Sequence, residues 1–345
     1  MKVRLNKDIF NSTSQSDFDK LVNDITYKNR YDLYLDSDDF RGTELFSNTT
    51  TSNKEIMNEA FVNSINAVFD KDIDCDVRKS APTATDKVFT VGECITYLNQ
   101  PLCIIVENEE NDKCFVNAIL SEFLPRSLKI DVGQYEQDNW LKYDGAGGKV
   151  NVASKIKNRY NSSGCKSKML KIFVIFDSDK RCPDDTPKNT VLESELKKYS
   201  IPYHELEKRS IENYMPDSII SGQYIYTNHN ADWINAYLNL TEQQKDYISI
   251  AEGYSKDIHS NQSPDVQASF NGGFINQNQL TLIQNISVSN LNTLNGGLEL
   301  KSGPFKNEFP KFFMYADKSQ LISRTANQSN KNELSDIAKS IRDLL

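Results

Sequence analysis

Two short apolar runs constrain this chain more than any other feature: Leu102-Cys-Ile-Ile-Val106 and Lys171-Ile-Phe-Val-Ile-Phe176, each leading straight into carboxylates. An uninterrupted apolar run of this length is a strand buried on both faces, and such strands belong to sheets with helices on each side. Over Asp112 to Leu124, the residues Phe115, Val116, Ile119, Leu120, Phe123 and Leu124 trace one helical face. Thr190 to Tyr199 reads as another helix and Ile201 to Leu206 as a further short strand. Strand–helix–strand alternation predicts a parallel α/β sheet with right-handed crossovers. Chemistry in such sheets collects at the carboxyl ends of the strands, which is where the acids of this sequence fall.

Val106 is followed by Glu107, with Glu109, Glu110 and Asp112 close behind; Phe176 is followed by Asp177 and Asp179. Residues two apart on an extended backbone share a side, so Asp177 and Asp179 are expected to face one ion. Mg²⁺ takes one or two carboxylates together with water and substrate phosphate, whereas crowded carboxylates without a cation repel one another. Each motif also has a plainer reading, since an Asp-x-Asp or a lone Glu after a strand can cap the next helix. The two together on adjacent strands point to metal chemistry. An EF-hand is excluded because Arg181 stands at its fifth position.

Between the two acidic strand ends, Gly145 to Phe176 contains no Asp or Glu and carries Lys149, Lys155, Lys157, Arg159, Lys166, Lys168 and Lys171. Alone, such a run is a solvated helix face. Beside a metal site it reads as a phosphate track, with Lys149, Lys155, Lys157 and Arg159 as the nucleic-acid contacts. Gly145-Ala-Gly-Gly-Lys149 is not a Walker loop, but a glycine-rich turn brings backbone amides near phosphate.

Bulk composition removes several classes. The net charge of −8, from 40 basic and 48 acidic residues, argues against binding nucleic acid with the whole surface and leaves room for one local basic face. No apolar run approaches the length of a transmembrane helix and the first residues lack a signal-peptide core, so a cytoplasmic protein is expected. The six cysteines form no CxxC pair and read as reduced thiols, with Cys103 and Cys114 in apolar surroundings. Three histidines without paired spacing make a His-based zinc site a poor candidate.

The 345 residues suggest two or three domains. Residues 1–95 form an N-terminal accessory region with an amphipathic helix over Glu55 to Phe69 and a loop over Lys79 to Lys87. Residues 96–220 form the α/β unit, and residues 221–345 a C-terminal helical region. In the last, 260–300 is a polar stretch in which Phe270, Phe274, Leu280, Leu282 and Ile283 can pack, and Glu333 to Leu345 closes the chain as an amphipathic helix. Trp140, Trp233 and the aromatics from Phe305 to Tyr315 read as core. No internal repeat is visible. The fold class expected is α/β, a parallel sheet flanked by helices with mostly helical N-terminal and C-terminal elaborations.

The acidic residues, taken together, resemble a TOPRIM domain, the metal-dependent α/β fold of topoisomerases, primases and OLD-type nucleases. That pattern has an apolar strand ending in Glu, a second acid shortly after, and a later apolar strand ending in Asp-x-Asp. Cys103-Ile-Ile-Val-Glu107 resembles the first, with Asp112 or Glu110 as the following acid, and Ile172-Phe-Val-Ile-Phe-Asp-Ser-Asp179 the second. Asp144-Gly-Ala-Gly-Gly-Lys149 is similar to the glycine-rich turn after the second strand. Asn108 stands where Gly is usual. His204-Glu-Leu-Glu-Lys-Arg-Ser-Ile-Glu-Asn-Tyr214 is similar to the OLD-type and stand-alone bacterial branch.

The resemblance implies a Mg²⁺- or Mn²⁺-dependent nuclease with one or two ions. Glu107, Asp112, Asp177, Asp179 and Glu212 would be the ligands, Glu107 would also be catalytic, and Lys306 would lie near the scissile phosphate. It further implies DNA or RNA (tRNA included) as substrate, an anti-phage effector role and an ABC-type ATPase partner; a homodimer is left open. Two rivals remain at this level. A haloacid-dehalogenase-type phosphatase would use Asp177 as nucleophile, although Arg181 departs from its motif. A non-catalytic TOPRIM-like subunit would regulate an ATPase.

Overall fold

The computed structural model describes residues 1–35, 37–66, 73–81, 87–124, 132–222, 225–227, 229–254, 281–283, 285–300 and 305–345, without the side chains of Asn29 and Lys306. The chain is α/β, with two four-stranded parallel sheets flanked by helices. The second sheet contains the two apolar runs. Its strands are β5 (Leu102–Val106), β6 (Leu141–Gly145), β7 (Ile172–Phe176) and β8 (Tyr203–Glu205), in the order β6-β5-β7-β8. The pairings are all parallel, and Ile105 lies opposite Val174.

Every residue of β5 and β7 is buried, for the reason their composition predicts. Leu102, Ile104 and Val106 of β5 join Phe173 and Ile175 of β7 in one core; Cys103 and Ile105 join Ile172, Val174 and Phe176 in a second core on the opposite face. This is the period-two alternation of a strand, with an apolar residue at both phases. After the short α6 (Val132–Gln137), which precedes β6, the second core is closed by α7 (Lys149–Ser162) and α8 (Thr190–Lys198) through Val152, Ile156, Leu192 and Leu196.

The first core is larger. It takes Phe115, Val116, Ile119 and Leu120 of α5 (Glu109–Phe123) together with the C-terminal elements, including Tyr237, Phe309, Phe313, Leu334, Ile337 and Ile341. The C-terminal helices therefore cover one face of the central sheet. The closing helix, Glu333–Arg342, buries the apolar stripe read from its sequence. Trp140 and Trp233 are buried as expected. So are Phe309 and Phe313, whereas Tyr315 is exposed. Leu282 and Ile283 pack, while Phe270, Phe274 and Leu280 lie outside the described residues, as does much of the expected Lys79 to Lys87 loop.

The N-terminal region is helical over α1 (Gln15–Thr26), α2 (Glu44–Asn48), α3 (Thr51–Asn66) and α4 (Val91–Leu98), and it also contains a sheet that its sequence does not advertise. Its strands β1 (Lys2–Leu5), β2 (Asp32–Leu35), β3 (Cys75–Val77) and β4 (Val88–Phe89) are ordered β2-β1-β3-β4. Both sheets thus share one order, second-first-third-fourth, without a repeat in the sequence. The strands are two to four residues long and carry charge, which hides them: Arg4 on β1 is stabilised by Asp76 on β3, 3.0 Å away. Among the described residues no helix is long and apolar enough to cross a membrane. All six cysteines are free thiols; Cys103 is buried and Cys114 only partly so.

Candidate functional site

A parallel sheet of this order reverses direction between its first and third strands, and the crevice beyond their carboxyl ends is where ligands bind in open α/β sheets. In the central sheet those strands are β5 and β7, and the residues beyond them are Glu107 and Asp177. The two meet directly: the Asp177 amide donates to Glu107 Oε1 at 3.1 Å. The Asp177 carboxylate turns the other way and accepts from the Ile211 amide at 3.1 Å. Ile211 opens the 3-10 helix Ile211–Tyr214, so this bond brings Glu212 to the same crevice.

Asp112 arrives by a different route from the one its sequence suggested. Helix α5 starts at Glu109, three residues earlier than the apolar pattern indicates, because Asn108 caps it. Asp112 therefore sits in the first helical turn, where Asp112 Oδ2 accepts from the Asn108 amide at 3.0 Å. A carboxylate in a helical first turn is favourable. Here burial outweighs that, and with the charges of Glu212 and Glu107 it pushes the Asp112 carboxyl up to about 7. Burial also raises Asp177 well above the usual carboxylate range, reinforced by the charges of Glu212, Glu107 and Asp112. Glu107 is raised chiefly by burial, against the opposing pull of Lys149. The charges of Glu212 and Glu107 thus act on both Asp112 and Asp177, which brings acids from three separate segments of the chain into one neighbourhood.

Asp177 and Asp179 do not present their carboxylates side by side as alternation predicted. The extended backbone ends at Phe176, and Asp179 adopts the left-handed conformation with φ 54°, which Asp tolerates better than most residues. The Asp179 amide donates to the Arg209 carbonyl at 3.0 Å, and its carboxylate pairs with Lys149. The Lys149 ammonium also donates to the Asp177 carbonyl at 2.6 Å and lies 3.7 Å from Glu107 Oε1.

The glycine-rich turn puts Lys149 there. The Gly147 amide donates to the Glu107 carbonyl at 2.9 Å, folding the turn over the end of β5. Gly148, with φ 115°, then turns the chain into α7. Gly145 lets β6 approach α5: a Cβ at this position would lie 2.8 Å from the Glu109 backbone nitrogen.

Of the four basic residues expected to track phosphate, three have acidic partners within the chain. Lys149 sits in the acid cluster, and Lys155 and Arg159 both bind the Asp144 carboxylate, Arg159 at 2.7 Å. Against burial, those hydrogen bonds hold the Asp144 carboxyl below its ordinary range. Lys157 is exposed. The backbone of Lys306 belongs to the helix Phe305–Glu308; its side chain lies outside the described residues.

Two supports had no legible signal in the sequence. Buried Asn189 donates Nδ2 to the Asp177 carbonyl at 3.0 Å and to Glu205 at 2.6 Å, tying the end of β7 to β8. Ser178 donates Oγ to the Lys208 carbonyl at 2.6 Å, and the Lys208 ammonium is itself buried against Asp246. A single Asn or Lys many residues from an acid motif has no spacing by which to recognise it.

The donors in the crevice are carboxylate oxygens under mutual repulsion, which is the chemistry a hard divalent cation relieves. As the side chains stand, no three carboxylate, imidazole or thiol groups among the described residues are grouped to hold a metal ion, and an ammonium lies between Glu107 and Asp179. No family model, curated protein or solved structure matches the chain.

Proposed function

We propose that this chain is a Mg²⁺- or Mn²⁺-dependent nuclease of the TOPRIM kind, hydrolysing phosphodiester bonds of DNA or RNA. The observation that carries the reading is the meeting of Glu107 and Asp177 at the reversal point of the central sheet, with Asp112 and Glu212 near enough to raise protonation there. Glu107, Asp112, Asp177 and Glu212 would hold the ion, with Asp179 at the margin. Bound there, it would supply a water of lowered pKa and neutralise charge on the phosphate. The chain's own part is to keep the carboxylates fixed: Ile211 and Asn108 amides hold Asp177 and Asp112, and Asn189 holds the turn beneath them. Exposed Lys157 would meet the nucleic-acid backbone, and Lys306 would offset charge on the phosphate, as the resemblance implies. The effector role in anti-phage defence and the ABC-type ATPase partner rest on the Ile-Glu-Asn-Tyr resemblance alone.

The test is cleavage of plasmid, linear DNA and tRNA with Mg²⁺ or Mn²⁺ and with EDTA. Glu107→Gln and Asp177→Asn are each expected to lower the rate by at least roughly 100-fold. Unchanged cleavage in both variants would sink the assignment. An aspartyl-phosphate trapped at Asp177 would instead support the phosphatase.

A further inference from the structure

Lys149 touches the acid cluster directly, and its ammonium is engaged on several sides. It meets the Asp177 carbonyl at 2.6 Å, the Asp179 carboxylate, and Glu107 Oε1 at 3.7 Å, with its side chain 17% exposed. We propose that Lys149 is the built-in counter-ion of this cluster, and that it competes with the divalent ion for the Glu107 carboxylate. The proposal rests on the reading of the cluster as a metal site and adds to it the residue that sets its affinity.

The charge balance argues for competition rather than co-occupancy. One ammonium is shared by the Glu107 and Asp179 carboxylates and the Asp177 carbonyl, so a single positive charge answers two negative ones. A doubly charged ion would compensate better, but it would repel an ammonium a few ångströms away in a partly desolvated crevice. Lysine is suited to leaving, being a compact, strongly hydrated charge on a flexible four-carbon stem. Its backbone is fixed at the first turn of α7, so a displaced ammonium stays within a side chain's length of the crevice, where an anionic phosphate would meet it.

Mn²⁺ binding to the full chain, followed by electron paramagnetic resonance of the free ion, tests this without an activity assay. Lys149→Gln is expected to tighten binding by about tenfold or more, Lys149→Arg to stay within about threefold of wild type, and Glu107→Gln to weaken it by about tenfold. Equal or weaker binding by Lys149→Gln, with wild type binding and Glu107→Gln impaired, overturns the role of Lys149 and leaves the metal reading standing. No binding by either wild type or Lys149→Gln overturns both. A measurement on wild type alone guards against a variant that does not fold: reductive methylation of Lys149, mapped by mass spectrometry, should speed up when Mg²⁺ is added. An unchanged or slower rate refutes displacement.

Discussion

The turn bearing Asp177 and Asp179 rests on a buried pair whose cost can be measured. Lys208 is 1% exposed, its ammonium bonded to Asp246, and Asp246 Oδ1 also accepts from Arg324 Nη2 at 3.0 Å. Two cations therefore share one carboxylate. Burial, reinforced by Arg324, lowers the Lys208 pKa from 10.5 to about 8 in spite of Asp246. That difference amounts to about 3 kcal/mol of proton-linked free energy. The folded protein binds the Lys208 proton less tightly than the unfolded chain does. The contribution is therefore fully present above pH 10.5, declines as pH falls, and is lost below about 8.

The perturbation is Lys208→Met, and the assay is urea unfolding of both proteins at several pH values from 7 to 10. Cysteines and tyrosines with raised pKa, such as Cys94 and Tyr214, also titrate across or beyond this range. They do so in both proteins, so the difference between the two isolates Lys208. Wild type should gain on the variant by roughly 2–3 kcal/mol between pH 7 and pH 10, with most of the slope above pH 8. A difference that stays flat would mean that Lys208 is not desolvated in the fold, and the account of the support beneath the Asp-Ser-Asp turn would be wrong.

Other consequences follow from single contacts. Lys171 is 2% exposed and hydrogen-bonds the Tyr31 hydroxyl at 2.9 Å, with burial pushing its pKa well down. Lys171→Met is expected to stabilise the protein by about 1–3 kcal/mol at pH 7, read by urea denaturation, and a loss of stability would refute the burial argument. Gly145→Ala would place a Cβ against the Glu109 backbone and should cost about 1–3 kcal/mol. Because the strain falls between β6 and the start of α5, Mn²⁺ affinity should drop along with the melting temperature. A variant with wild-type melting would show that the approach is not tight.

The basic run illustrates how a correct composition can mislead about surface charge. It contains no acid of its own, but the strand pairing of β5 with β6 sets Asp144 beside α7, where it takes up Lys155 and Arg159. The acids behave in the same way. Glu107 and Asp177 were legible because each ends an apolar run, whereas the split between Asp177 and Asp179 depends on a left-handed residue that no spacing announces.

What the sequence by itself determined was local: apolar runs long enough to be buried strands, amphipathic stripes long enough to be helices, and carboxylates at the strand ends. Those follow from periodicity and from burial of apolar surface, so the α/β class was readable, and with it the strand ends that carry Glu107 and Asp177. Tertiary structure decided what depends on partners distant in the chain. The N-terminal sheet exists because strands of two to four residues find neighbours across up to seventy-odd positions, as Arg4 finds Asp76. Lys149 became a counter-ion because a glycine turn folds over β5 and delivers its ammonium to carboxylates from two other strands' ends. Long-range pairing of charge leaves no period in a sequence, and only the fold decides which charge is neutralised.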